Sequence, residues 1–256
     1  MKRTIFIILS LFLVFMNSDV IASQQNVMKK EYKAVSVDGF NIQGVLSYPK
    51  VKGQKEYNTV VLLHSLGYNS QWWGDLPRIL LDKGYAVLAI DLRGHGYSVY
   101  NSKLAKVSWK SLTNNAYTKY PDDVIAMIDV IKEDNVKRDF FTNWAIVGCD
   151  IGASAGVLAA DRLPEKPKTI VMISPVVKAK GLYIPVSVAQ LGNTDFLSIS
   201  SQSDLDSIKS SAYLKKFAQR EFSELYSESK TSGNLMFKND SKMSTVVAEW
   251  IGLYFN

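Results

Sequence analysis

Two residue types are scarce in this chain, and each scarcity narrows what it can do. Cysteine occurs once, at Cys149, so no internal disulfide can form. Histidine occurs twice, at His64 and His95, and the 161 residues that follow His95 contain none. Long apolar runs are also missing. Residues 5–16 form a stretch of about 12, short of the roughly 20 needed to cross a bilayer. Charge of one sign is not gathered anywhere. The net formal charge of +6 is dispersed, with no basic cluster interleaved with aromatics, which argues against a nucleic-acid partner. There is no internal repeat and no low-complexity linker, so one domain is expected. The sequence calls for no metal and no cofactor, and it leaves the oligomeric state open.

What is present begins with an export signature. Lys2 and Arg3 precede the apolar run, and Val20-Ile21-Ala22 ends it with a cleavage site before Ser23. Residues 1–22 read as a signal peptide and 23–256 as the mature domain. The expected location is periplasmic or secreted, with no stable membrane span after cleavage.

Along the mature chain, residues 31–48 alternate around Asp38-Gly39, the pattern of a β-hairpin. Residues 59–63, 85–90, 144–149, 169–173 and 195–200 are short apolar runs of the kind that form strands buried on both faces. Helices are expected from a cap at Ser70 through 81, over 121–134, from the turn at Gly152 to 161, over 208–222 and over 243–254. A last strand is expected at 224–228. A hairpin followed by alternating buried strands and helices predicts an α/β fold with a doubly wound, mostly parallel sheet. Ligands of such sheets sit at the carboxyl ends of the strands.

The stretch Gly148-Cys149-Asp150-Ile151-Gly152 sits at such an end, between a buried strand and a helix rich in small residues. Two glycines around one raised side chain form a nucleophile elbow, where strand and helix come too close for larger residues. The raised position holds Asp150 rather than Ser or Cys. Cys149 is adjacent but points to the opposite face, as a small buried apolar residue.

With two further landmarks, His64-Ser65-Leu66-Gly67 and Asp91-Leu92-Arg93-Gly94-His95-Gly96, the chain resembles the α/β-hydrolase fold superfamily. Within it the chain is most similar to small dienelactone-hydrolase-like and acyl-hydrolase-like members. The resemblance implies an oxyanion hole made by the backbone N–H groups of Leu66 and Ile151. It implies that His64 and His95 shape loops rather than act as the catalytic base. It places the catalytic acid after the penultimate strand, at Asp204 or else Asp206, either of which could instead cap the next helix. It places the catalytic histidine in the turn 230–236, where Ser232 or Asn234 stands. Dehalogenase- and epoxide-hydrolase-like relatives use an Asp nucleophile under a substantial cap. Here residues 175–194 are only 20, too few for a large cap domain.

Two functional readings follow. The first is an exported pseudoenzyme with a degenerate triad, without turnover, that binds a ligand or partner. The second is an active esterase-like hydrolase using Asp150 and an unidentified base. Trp72, Trp73, Tyr97 and Tyr100 are candidates to line a cleft for a small apolar or acyl-type ligand.

Overall fold

The computed structural model describes residues 26–255, so the predicted export segment lies outside the described residues. Ten strands occur among them. They are β1 (Val27–Val35), β2 (Asn41–Pro49), β3 (Thr59–Leu63), β4 (Ala86–Asp91), β5 (Trp144–Cys149), β6 (Thr169–Ile173), β7 (Lys178–Ala179), β8 (Leu182–Tyr183), β9 (Asp195–Ser201) and β10 (Phe222–Ser227). Eight of them form one sheet in the order β1-β2-β4-β3-β5-β6-β9-β10. The β1–β2 and β2–β4 pairs are antiparallel and the rest are parallel. The expected hairpin is therefore present, and so is the mostly parallel, doubly wound sheet. The central strands β3, β5 and β6 are buried at every position, because helices cover both of their faces.

The helices are α1 (Leu76–Asp82), α2 (Asn114–Tyr117), α3 (Tyr120–Asp134), α4 (Ile151–Arg162), α5 (Pro185–Gln190), α6 (Leu205–Leu214), α7 (Leu235–Asn239) and α8 (Met243–Phe255). Val124, Ile128 and Ile131 of α3 and Ala155 and Ala159 of α4 join a core on one face of the sheet. Leu76 and Leu80 of α1 and Val247 and Ile251 of α8 join a second core on the other. The segment between β6 and β9 holds only the short β7–β8 hairpin and α5, so no large cap domain is inserted there among the described residues. Among the described residues no helix is long and apolar enough to cross a membrane.

Two helix boundaries differ from expectation. The helix expected to start at Ser70 begins at Leu76. The chain first turns through Gly74 at φ +54°, and the Ser70 N–H bonds the Asp91 carboxylate at 2.7 Å instead of starting a helix. The helix expected over 208–222 is α6. It starts three residues earlier, because the Asp204 side chain accepts from the Ser207 N–H and caps it. It also ends at Leu214. Phe222 opens β10, where its ring stacks on Phe196 of β9 at 5.8 Å. Helical spacing could not reveal that tertiary pairing.

Candidate functional site

Asp150 stands between β5 and α4 with φ +51° and ψ −118°. A left-handed backbone at a residue other than glycine costs roughly 1–3 kcal/mol, and Asp is among the side chains that tolerate it best. The surroundings enforce it. A Cβ on Gly152 would lie 2.2 Å from the Leu63 carbonyl oxygen, and one on Gly148 would lie 2.4 Å from the Ala153 Cα. Both clashes are with backbone, so neither glycine can be replaced without parting β3 and β5 from α4. The Asp150 N–H donates to the Ile173 carbonyl at 2.8 Å, and its carbonyl accepts from Ala153 at 3.1 Å. The elbow is therefore pinned on both sides.

The Asp150 carboxyl does not cap α4. Burial raises its pKa above the ordinary carboxylate range, and the negative charge of Asp204 adds to the rise. The backbone N–H groups of Ile151 and Leu66 act against it by favouring the ionised form. These are the two groups expected to form an oxyanion hole. The fold thus brings Asp150, Leu66 and Ile151 together, with Asp204 within electrostatic range. Asp204 is half-buried and caps α6, whereas Asp206 is exposed in the first turn of that helix. Cys149 is fully buried, and burial pushes its thiol well above the usual range.

Both histidines are fully engaged elsewhere. The His64 Nε2 accepts from the Leu92 N–H at 3.0 Å, which leaves Nδ1 to donate to the Ser65 carbonyl at 2.8 Å. Burial drives its pKa down to about 3, so the ring is neutral. The His95 Nε2 accepts from the Gly67 N–H at 2.9 Å, and Nδ1 donates to the Arg93 carbonyl at 3.1 Å. Its ring stacks on Trp109 at 5.6 Å, and burial lowers its pKa as well. All four ring nitrogens are spent on backbone, and they tie the 64–67 loop to the 91–96 loop.

The turn where the catalytic histidine was expected is also occupied. Ser232 is exposed, and Asn234 is buried. The Asn234 Oδ1 accepts from the Ser65 N–H at 2.6 Å and its Nδ2 donates to the Trp72 carbonyl at 2.7 Å. The Gly233 N–H donates to the Ser174 Oγ at 2.9 Å. Asn234 therefore clamps the last turn onto the 64–67 loop. Ser65 lies in the His64–Gly67 landmark and Ser174 precedes the Pro175 break after β6, yet neither signal points to the turn at 233–234.

The other landmarks hold the loops. The Asp91 carboxylate accepts from the N–H groups of Ser70 and of Tyr97, the latter at 2.8 Å. Gly94, at φ +81°, lets the Trp109 backbone pass where a Cβ would stand 2.6 Å from its nitrogen. Arg93 is buried and holds two carboxylates at once, Asp123 at 2.6 and 2.7 Å and Asp38 at 2.6 and 3.0 Å. Of the four aromatics proposed to line a cleft, Trp73 instead belongs to the core, 1% exposed and edge-on to Phe237. Trp72, Tyr97 and Tyr100 are exposed. Among the described residues no group of three or more His, Cys, Asp or Glu is placed to hold a metal.

With this geometry described, residues 54–239 match the family described as serine aminopeptidase, S33. The chain belongs to that family. The match spans the elbow, both histidine landmarks and the turn at Asn234. Solved structures of the same α/β-hydrolase fold include an esterase of Pyrococcus furiosus, with a TM-score of 0.68 and 13% identity over 91% of this chain and 92% of that one. Another is dienelactone hydrolase from Anabaena variabilis, with a TM-score of 0.62 and 18% identity over 89% and 97%. A third is a cold-adapted esterase from an Arctic intertidal metagenomic library, with a TM-score of 0.65 and 15% identity over 89% and 94%. At these identities the likeness is one of fold. No curated protein matches the chain in sequence.

Proposed function

We propose that this family member is an exported protein that keeps the scaffold of an esterase-type hydrolase without its turnover, and that it binds a ligand or partner. One observation carries the reading. The chain has two histidines, and both ring nitrogens of each are held by backbone groups. An Asp nucleophile needs no base for its attack on an ester. The acyl-enzyme that results still needs a base to activate the water that opens it. No imidazole is free for that step, and the catalytic-histidine position is filled by exposed Ser232 and clamped Asn234. The Asp150 carboxyl beside the Leu66 and Ile151 amides adds a second obstacle, since it takes up donors that a developing oxyanion would need.

The test is steady-state hydrolysis of short acyl esters by the purified mature chain. General acid–base catalysis supplies roughly 10²–10⁴-fold and has no free base here, so negligible steady-state hydrolysis is expected. Turnover that disappears on Asp150→Ala would overturn the reading in favour of an active hydrolase built on Asp150.

Export is part of the same proposal and rests on the Lys2-Arg3 start, the apolar run and Ala22. N-terminal sequencing of the protein from its native host is expected to begin at or near Ser23. Intact Met1 on the soluble cytosolic protein would be incompatible with it.

A further inference from the structure

Away from the elbow, a groove opens on the face of the sheet formed by β1, β2 and β4. It has a volume of about 650 Å³, within the range of small-molecule sites. Its floor is the face of β1, β2 and β4 that α1 leaves uncovered. Register aligns three rows across those strands: Lys29–Ser47–Val87, Glu31–Val45–Ala89 and Lys33–Gln43–Asp91. Side chains two residues apart on a strand share a face, so each row presents its members to the same side. The floor therefore grades from an apolar strip along β4 and Val45 to charged groups on β1. Ser70, Gln71 and the start of α1 at Pro77 form one wall.

Tyr97 and Tyr100 stand at the end where Lys33, Gln43 and Asp91 meet. Tyr97 is 71% exposed, yet its backbone is not free to move, since its N–H is bonded to Asp91. The Tyr100 carbonyl accepts from the Asn41 N–H at 2.9 Å. Both rings are thus exposed on anchored backbone, which lowers the cost of ordering the site when a ligand arrives. The polar groups nearby are unspent. Lys29 and Lys33 form no ion pair with any described residue, in contrast to Lys30 on the opposite face, which pairs with Asp134. The Gln43 and Gln71 side chains and both tyrosine hydroxyls likewise bond no described residue. Glu31, between the two lysines, is the one carboxylate on the β1 rim of the groove.

We propose that this groove binds an acidic saccharide. A sugar ring offers an apolar face for the tyrosines and for Val45, and hydroxyls for Gln43, Gln71 and Ser47. A ring carboxylate meets Lys33 or Lys29, whose positions four residues apart on a strand are separated by roughly 13 Å. The lysine spacing and Glu31 together disfavour small multivalent anions, because a compact anion cannot reach both lysines and meets a carboxylate between them, whereas a sugar hydroxyl can donate to that carboxylate. The site is separate from Asp150, and its existence does not depend on whether the elbow turns over substrate.

The experiment is calorimetric titration of the mature chain with trigalacturonate, with a neutral trisaccharide of the same length and with citrate as comparisons. Saturable binding of trigalacturonate is expected. It should weaken at least tenfold in Tyr97→Ala/Tyr100→Ala, and also in Lys29→Gln/Lys33→Gln, where its salt dependence should fall as well. All four side chains are exposed, so circular dichroism and melting should match those of the unaltered chain and a loss of binding can be read as loss of the site. Absence of saturable binding, or binding unchanged in both double variants, overturns the proposal. Equal affinity for the neutral trisaccharide overturns the acidic assignment, and equal affinity for citrate overturns the saccharide assignment.

Discussion

Asp150→Ser combined with Ser232→His is expected to hydrolyse an activated aryl ester roughly 10²–10⁴-fold faster than Asp150→Ser alone, the range that a positioned base supplies. The elbow is already formed, and its glycine clashes and backbone bonds do not involve the carboxylate. The two amides of Leu66 and Ile151 are backbone groups and survive the exchange. Removing the carboxyl also frees them of the group they now bond. What remains missing is the base, and its position in the chain is testable. Ser232 is exposed and bears no structural bond, so it can accept an imidazole. Asn234 cannot serve equally well. Its side chain holds the Ser65 N–H and the Trp72 carbonyl, so Asn234→His would loosen the 64–67 loop that carries the Leu66 amide. Asp204 lies within electrostatic range of Asp150, and the variant tests whether it orients the new ring. A nucleophile and its base act as a unit, so neither single change should show much. If the double variant is no faster than Asp150→Ser while its circular dichroism and melting are preserved, then Ser232 does not occupy the histidine position.

The second large effect concerns stability. Arg93→Met is expected to lose roughly 3–5 kcal/mol at neutral pH by urea denaturation, because it leaves a buried charge without its partner. Arg93 is almost wholly buried, as is Asp123, while the side chain of Asp38 is 41% exposed and can hydrate. Asp38 therefore survives the loss and Asp123 does not. The guanidinium also lies over the Phe40 ring at 4.8 Å, and the unbranched Met retains much of that packing.

The pH dependence separates the charge effect from packing. Burial pushes the Asp123 carboxyl up to about 6, with Arg93 pulling in the opposite direction. A group whose folded pKa is raised supports the fold below its unfolded pKa and loses that support as pH climbs through the folded value. Asp123 therefore works against stability progressively between about pH 4 and 6. Asp38 is lowered by the Arg93 hydrogen bond and has the reverse sign, its contribution being lost as pH falls. Without Arg93 the Asp123 carboxyl rises further, so the penalty of the variant should grow with pH and be smaller at pH 5 than at pH 7. Replacing both partners by apolar groups removes the buried charge, so Arg93→Met/Asp123→Leu should recover part of the loss. A penalty independent of pH, or one below about 1 kcal/mol, would show that the triad does not act through charge.

The fold was legible because its signals are local and redundant. Fully apolar runs such as Thr59–Leu63 and Thr169–Ile173 have no other stable place than the middle of a covered sheet, and the Gly148/Gly152 pair marks a turn that larger residues cannot make. The absence of histidine after His95 needs no structure at all, since a side chain that is not in the chain cannot be brought to the site by folding. Contacts between distant segments were not legible. Nothing near Ser65 announces that Asn234, 169 residues away, bonds its N–H, and nothing near Arg93 announces that Asp38 and Asp123 converge on it. The reach of α6 was misread for the same reason, because Phe222 follows the helical spacing and yet finds its partner in Phe196 of the neighbouring strand. The roles of His64 and His95 belong to the same class. By itself the sequence determined that the chain has two imidazoles, both ahead of the elbow. Only the tertiary structure decided that neither is free, because a ring nitrogen is committed by whichever buried N–H or carbonyl the fold sets beside it, and an unpaired buried group would cost more than the bond.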